Sequence, residues 1–93
     1  MKNEDKENQK RIREVYSLNL ICYLRLKGIE KDKVGYNEFT KKVYYYYEPS
    51  RELDKAIGEY RDRDTLVRLQ GFITEFRKIK DEIGKYKREF EKD

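Results

Sequence analysis

The sequence contains no histidine. That absence removes the usual general base, every serine–histidine arrangement and the commonest zinc ligand together. Serine occurs only at Ser17 and Ser50, and both positions suit helix N-caps rather than nucleophiles. Neither GxGxxG nor a P-loop is present. Gly28, Gly35, Gly58, Gly71 and Gly84 stand singly instead of forming a phosphate-cradling loop. The lone cysteine, Cys22, excludes an internal disulfide; inside an apolar helical pattern it reads as a small buried hydrophobe in a reducing cytosol. No apolar run approaches the ~20 residues needed to cross a bilayer. The N-terminal MKNEDKENQK also lacks the hydrophobic stretch of a signal peptide. The expectation is a cytoplasmic protein that needs no membrane, metal or cofactor and is not an enzyme.

What the sequence has in abundance is charge. Of 93 residues, 45% are charged and 37% hydrophobic, a balance that would suit a disordered chain if the apolar residues were scattered. They are instead clustered and periodic, so the chain should fold as one small domain, near the lower size limit for burying a core unaided. The net charge of +4 is not gathered in one segment, so it does not demand a nucleic-acid partner. Acidic and basic residues interleave at helical spacing, Asp81 with Lys85 for example, as solvated ion pairs do.

Residues 1–10 balance their charges and bury nothing, which predicts a flexible tail. A core over residues 11–63 then reads as β-α-β-β-α. Residues 11–16 alternate as a strand, Ser17 caps a helix from Leu18 to about Lys27, and Gly28 ends it with Ile29 folding back on Leu24. Ile29 to Lys33 and Lys41 to Glu48 read as two strands joined by a loop containing Gly35 and Asn37. In the second strand, VYYYY places Val43, Tyr45 and Tyr47 on one face and Tyr44 and Tyr46 on the other. Pro49 stops the ladder, and Ser50 caps a helix from Arg51 to Tyr60.

Asp64 is placed to cap a last helix over residues 64–93, beginning at Thr65. Leu69, Phe72, Phe76, Ile79, Ile83, Tyr86 and Phe90 follow one another at alternating steps of three and four, a heptad seam. The whole is α+β, a small three-stranded sheet with a long C-terminal helix. That helix would be ~40 Å long and would overrun such a sheet. The expectation is that the body cannot hide the seam. Tyr44, Tyr46, Phe76, Ile79, Ile83, Tyr86 and Phe90 are then the candidate partner-binding residues, toward another protein or a second copy in a homodimer. Nucleic acid is the alternative partner, through Lys41, Lys42, Lys85, Lys87 and Arg88.

Three local patterns carry a resemblance: Tyr16-Ser17-Leu18, Tyr23-Leu24 with Lys27-Gly28, and Glu52-Leu53 with Ala56-Ile57. Over residues 13–80 the chain resembles a family of small uncharacterised proteins of Gram-positive bacteria and their phages. These are framework positions, so the likeness implies a fold and no active site. Phage genes of this size often encode proteins that disable a host machine. The resemblance therefore implies a protein-binding inhibitor of a bacterial defence nuclease, of anti-CRISPR type.

Overall fold

A computed structural model describes residues 14–92. The expected tail over residues 1–10, and the start of the first strand at residues 11–13, lie outside the described residues. The elements are β1 (Glu14–Val15), α1 (Leu18–Leu26), β2 (Lys33–Asn37), β3 (Lys42–Tyr46), α2 (Arg51–Arg61) and α3 (Leu69–Glu91). The class is α+β, as expected. The three strands form one antiparallel sheet in the order β1-β3-β2, with Val15 opposite Tyr45 and Gly35 opposite Tyr44.

Local chemistry sets most of the boundaries. Ser17 Oγ accepts from Leu20 N at 3.2 Å and Ser50 Oγ from Leu53 N at 3.0 Å, satisfying amides at both helix starts. Gly28, at φ +84°, takes the left-handed turn that closes α1; Ile29 N donates to Leu24 O and Gly28 N to Arg25 O, both at 2.9 Å.

β3 is shorter than the expected Lys41 to Glu48, and two boundaries fall four residues from expectation. The strand expected at Ile29 to Lys33 forms instead at Lys33–Asn37, so Gly35 and Asn37 lie in β2 and not in a loop. Ile29 is occupied by the α1 cap, and Asn37 opens the turn: its Oδ1 accepts from Phe39 N at 2.9 Å and Thr40 N at 3.1 Å. Lys41 closes it at φ +61°, donating from N to Asn37 O at 2.7 Å. The last helix begins at Leu69 rather than Thr65, because Asp62 claims the residues before it. Its Oδ1 accepts from Asp64 N at 2.9 Å and its carbonyl from Thr65 N at 3.2 Å. At 23 residues α3 is about 35 Å long.

All three helices serve the face of the sheet that carries Val15, Val43, Tyr45 and Tyr47. Those four residues are buried with Ile21, Cys22, Tyr23 and Leu24 of α1, Leu53, Ala56 and Ile57 of α2, and Ile79 of α3. The Cα trace is only 19 Å thick in its thinnest direction, as two layers require.

The seam is therefore covered from within, which corrects the expectation that the body is too small to hide it. Ile79 is 0% exposed, and Phe72, Phe76, Ile83 and Tyr86 pack partly buried against the core. The sheet alone is too small for the helix, but α3 crosses two surfaces in succession. Its N-terminal half lies on α1, where Cys22 Sγ reaches Phe72 O at 3.4 Å. Its C-terminal half lies on the sheet, where Tyr86 meets Tyr45 edge-on at 6.2 Å and Phe90 stacks on Tyr36 at 5.5 Å. Tyr36 Oη donates to Glu91 Oε2 at 2.5 Å, fixing the last turn to β2 and pushing the phenol up to about 12. Only the two ends stay open, with Leu69 67% and Phe90 46% exposed.

One polar node locks α1, β3 and α3 together. Arg25 forks onto Glu82 at 2.8 and 3.0 Å, while Tyr45 Oη donates to the same carboxylate at 2.7 Å. Glu30 and Glu75 stand 3.7 and 3.9 Å from the guanidinium. The Arg25 hydrogen bonds hold the Glu82 carboxyl below its ordinary 4.5. That contribution is complete above pH 4.5 and is lost as pH falls through the depressed value. Burial raises the Tyr45 and Tyr47 phenols above their ordinary 10. Their contribution is complete below pH 10 and is lost as pH rises beyond it. Denaturant midpoints measured against pH should accordingly hold a plateau and fall below about pH 4.5 and above about pH 10. A flat profile through both limits would contradict the node.

Candidate partner-binding surface

The face of the sheet opposite the helices is covered by nothing among the described residues. Register and pleat assign it in three rows: Glu14, Tyr46 and Lys33; then Tyr16, Tyr44 and Gly35; then Lys42 and Asn37. Tyr44 and Tyr46 are half-buried, and Tyr16 is more open.

Contacts within the face arrange the rings. A Cβ built on Gly35 would lie 2.2 Å from Tyr44 Cζ, so the Tyr44 ring lies flat across the glycine of the neighbouring strand. Tyr16 leans on it at 5.4 Å and 55°, and Asn37 Nδ2 donates to Tyr16 Oη at 3.0 Å. Lys33 Nζ sits 5.1 Å over the Tyr46 ring. Burial first, and then Glu14 and Tyr16, push the Tyr44 phenol up, so it stays protonated at neutral pH. Three phenolic hydroxyls, two ammonium groups and the Glu14 carboxylate are thus presented around preset tyrosine rings. Beyond the Lys42 end, the hairpin turn holds Phe39 98% exposed.

Gly35→Ala tests this arrangement. The new methyl must lift the Tyr44 ring off the sheet without breaking the strand, so stability should fall by about 1 kcal/mol in a denaturant titration. Tyr44 ring resonances should shift far more than those of buried Tyr45. Unchanged Tyr44 resonances would show that the ring does not lie there.

The remaining expected site residues separate. Tyr44 and Tyr46 share the open face, whereas Ile79 is fully buried and cannot meet a partner in this fold. Phe76, Ile83 and Tyr86 line the α3 side of the core. The five cations proposed for nucleic acid do not form one face. Lys42 ends β3 on the open face, and Lys41 lies by a hollow with Glu38, Phe90 and Glu91. Lys85 and Arg88 share the end of α3 with Glu89 and Glu91, and Lys87 pairs with Glu91 at 3.8 Å. Glu38, Glu89 and Glu91 stand among the four cations other than Lys42, which is poor complementarity for a phosphate backbone.

Sequence reading missed a second exposed apolar group, in the connection between α2 and α3. Leu66 is 90% exposed and Val67 and Leu69 are open, with Leu26 of α1 alongside. Its signal is the run LVRL, which falls inside the last helix when that helix is expected to begin at Thr65. No group of acidic, cysteine or histidine side chains able to hold a metal occurs among the described residues. No helix among them is long and apolar enough to cross a membrane.

Residues 9–85 match a family model described as a domain of unknown function, DUF5659. The chain belongs to the DUF5659 family. An uncharacterised family is what the framework residues pointed to, and the match extends past residues 13–80 at both ends. The DUF5659 span holds every residue of the open face and stops short of Phe90 and Glu91, which fix the end of α3. No curated protein and no solved structure matches the chain.

Proposed function

We propose that this DUF5659 chain acts by binding another protein through the open face of its sheet, and not by chemistry. The observation that carries the reading is the placement of Tyr16, Tyr44 and Tyr46 on the sheet face that no helix among the described residues covers. Tyrosine offers large amphipathic contact area at low side-chain entropy cost, which is why it is enriched in protein interfaces. Lys33 and Lys42 add charge at the margins of the patch, where it steers partners more than it binds them. The sequence adds no nucleophile–base pair that would favour catalysis. A bacterial defence nuclease as target is the narrower form of the proposal. It rests on the resemblance to proteins of Gram-positive bacteria and their phages.

The test is affinity capture from a bacterial lysate, with and without nuclease treatment, comparing the wild-type chain with a Tyr44→Ser/Tyr46→Ser variant of verified fold. A protein partner retained after digestion by the wild type, and lost by the variant, is the expected result. Capture that vanishes on digestion would assign the face to nucleic acid. Equal capture by both chains would remove the face from the binding site.

A further inference from the structure

Away from the sheet, the C-terminal end of α1 and the connection into α3 enclose an apolar cleft. Its walls are Tyr23, Leu26, Leu66, Val67 and Gly71, and its volume is about 270 Å³. That is less than the ~300–1,000 Å³ of pockets that bury a small-molecule ligand, but ample for one or two apolar side chains from another chain. The residues beside it are exposed to a degree that water makes unfavourable: Leu66 90%, Leu69 67%, and Val67 and Leu26 each more than a third. Leu26, Leu66 and Val67 around one depression, with Tyr23 in its wall, form an exposed apolar patch, the kind of surface that marks an interaction site.

Charge at the rim selects the occupant. The charged residues lining the cleft are Lys27 and Arg68, and no carboxylate lines it. Lys27 is offset by Glu59 at 3.4 Å, whose carboxylate also accepts from Tyr23 Oη at 3.1 Å, so the uncompensated charge is that of Arg68, which makes no ion pair among the described residues. Arg68 also stands at the start of α3, whose first turn carries no acidic residue, so the helix dipole adds to the positive rim instead of cancelling it. A second copy seated symmetrically would bring Lys27 and Arg68 against their own counterparts, which opposes self-association. A segment with carboxylates beside its apolar anchors meets both demands.

We infer that this cleft is a second docking site, distinct from the sheet face, for an acidic helical segment of a partner protein that seats leucine-like side chains between Leu26, Leu66 and Val67. The site gives the exposed Leu66 and Val67 a role, while Phe72 to Tyr86 of the seam pack against the core. Arg68 fixes the polarity of the bound segment by pairing with its carboxylates.

The probe is a set of short synthetic helical peptides with leucines on one face and glutamate, glutamine or lysine flanks. Binding is followed by fluorescence anisotropy, and the site by backbone resonances of the full chain. The glutamate peptide should bind about 10-fold tighter than the lysine peptide at low salt, with the advantage shrinking as salt rises. Its shifts should centre on Leu26, Leu66, Val67 and Gly71. Leu66→Ser, a change at an exposed position that leaves the fold intact by circular dichroism, should weaken it about 10-fold or more. Arg68→Glu should abolish the preference for glutamate flanks, and Tyr44→Ser should change nothing, so failure here is distinguishable from failure of the sheet-face reading. Equal affinity for all three peptides, absence of binding, or shifts centred elsewhere would overturn the inference. So would a concentration-dependent dimer dissolved by Leu66→Ser, which would give the cleft to a second copy.

Discussion

Ile79→Ala is expected to destabilise the protein by about 3 kcal/mol, and Phe90→Ala by about 1 kcal/mol, although both belong to the same heptad seam. Ile79 is fully enclosed by α1 and the sheet, so shortening it leaves a cavity that the surrounding core can only partly fill. Phe90 keeps nearly half its surface in water and touches chiefly Tyr36, so truncation there loses one ring contact. Urea titration of the two variants would measure the contrast directly. Equal losses at both positions would mean that α3 does not lie across α1 as described. A small loss at both would return the seam to an external partner.

Glu82→Ala should cost about 3 kcal/mol, more than its partly exposed position suggests. Removing the carboxylate strands two groups: the Arg25 guanidinium, which is 16% exposed, and the hydroxyl of fully buried Tyr45. Glu75 is near enough to recover part of the Arg25 pairing, which caps the loss. Arg25→Met should be at least as damaging, because it leaves Glu30, Glu75 and Glu82 gathered without their shared cation. The combined Arg25→Met/Glu82→Leu variant should recover part of the summed losses, since it removes the cation and its carboxylate together and leaves only the Tyr45 hydroxyl without its acceptor. Strict additivity in that double-mutant cycle would refute the shared node. Glu82→Gln, which keeps an acceptor for Tyr45, should fall between Glu82→Ala and the unmodified chain.

Features of the fold that depend on neighbours in sequence were legible before the structure. Ser17 and Ser50 announce their helices, Gly28 and Ile29 announce the end of α1, and alternation in VYYYY assigns Tyr44 and Tyr46 to one face and Tyr45 and Tyr47 to the other. Each involves atoms only a few residues apart, where propensity and hydrogen bonding decide. Features that depend on a distant residue were not legible. Gly35 looks like loop punctuation until the Tyr44 ring of β3 is laid across it. Asp64 looks like a cap until the Asp62 side chain takes the turn. Arg25, Tyr45 and Glu82 are separated by 20 and 37 residues, and nothing local marks them as a unit.

The candidate site divides along the same line. The open tyrosines were found by counting alternate residues along one strand. The exposure of Leu66 and the burial of Ile79 are not legible in the sequence, because each depends on where α3 begins and which surfaces it crosses.

Cys22 has a practical use because of where it sits. Its thiol is 0% exposed, reaches only a backbone carbonyl, and is pushed up from its ordinary range first by burial and then by Glu75. A soluble alkylating reagent therefore meets no reactive thiolate until α1 and α3 separate. The chain carries its own opening clock. The rate at which this single sulfur is labelled counts the molecules that have come apart, and a bound partner that clamps the two helices should slow it.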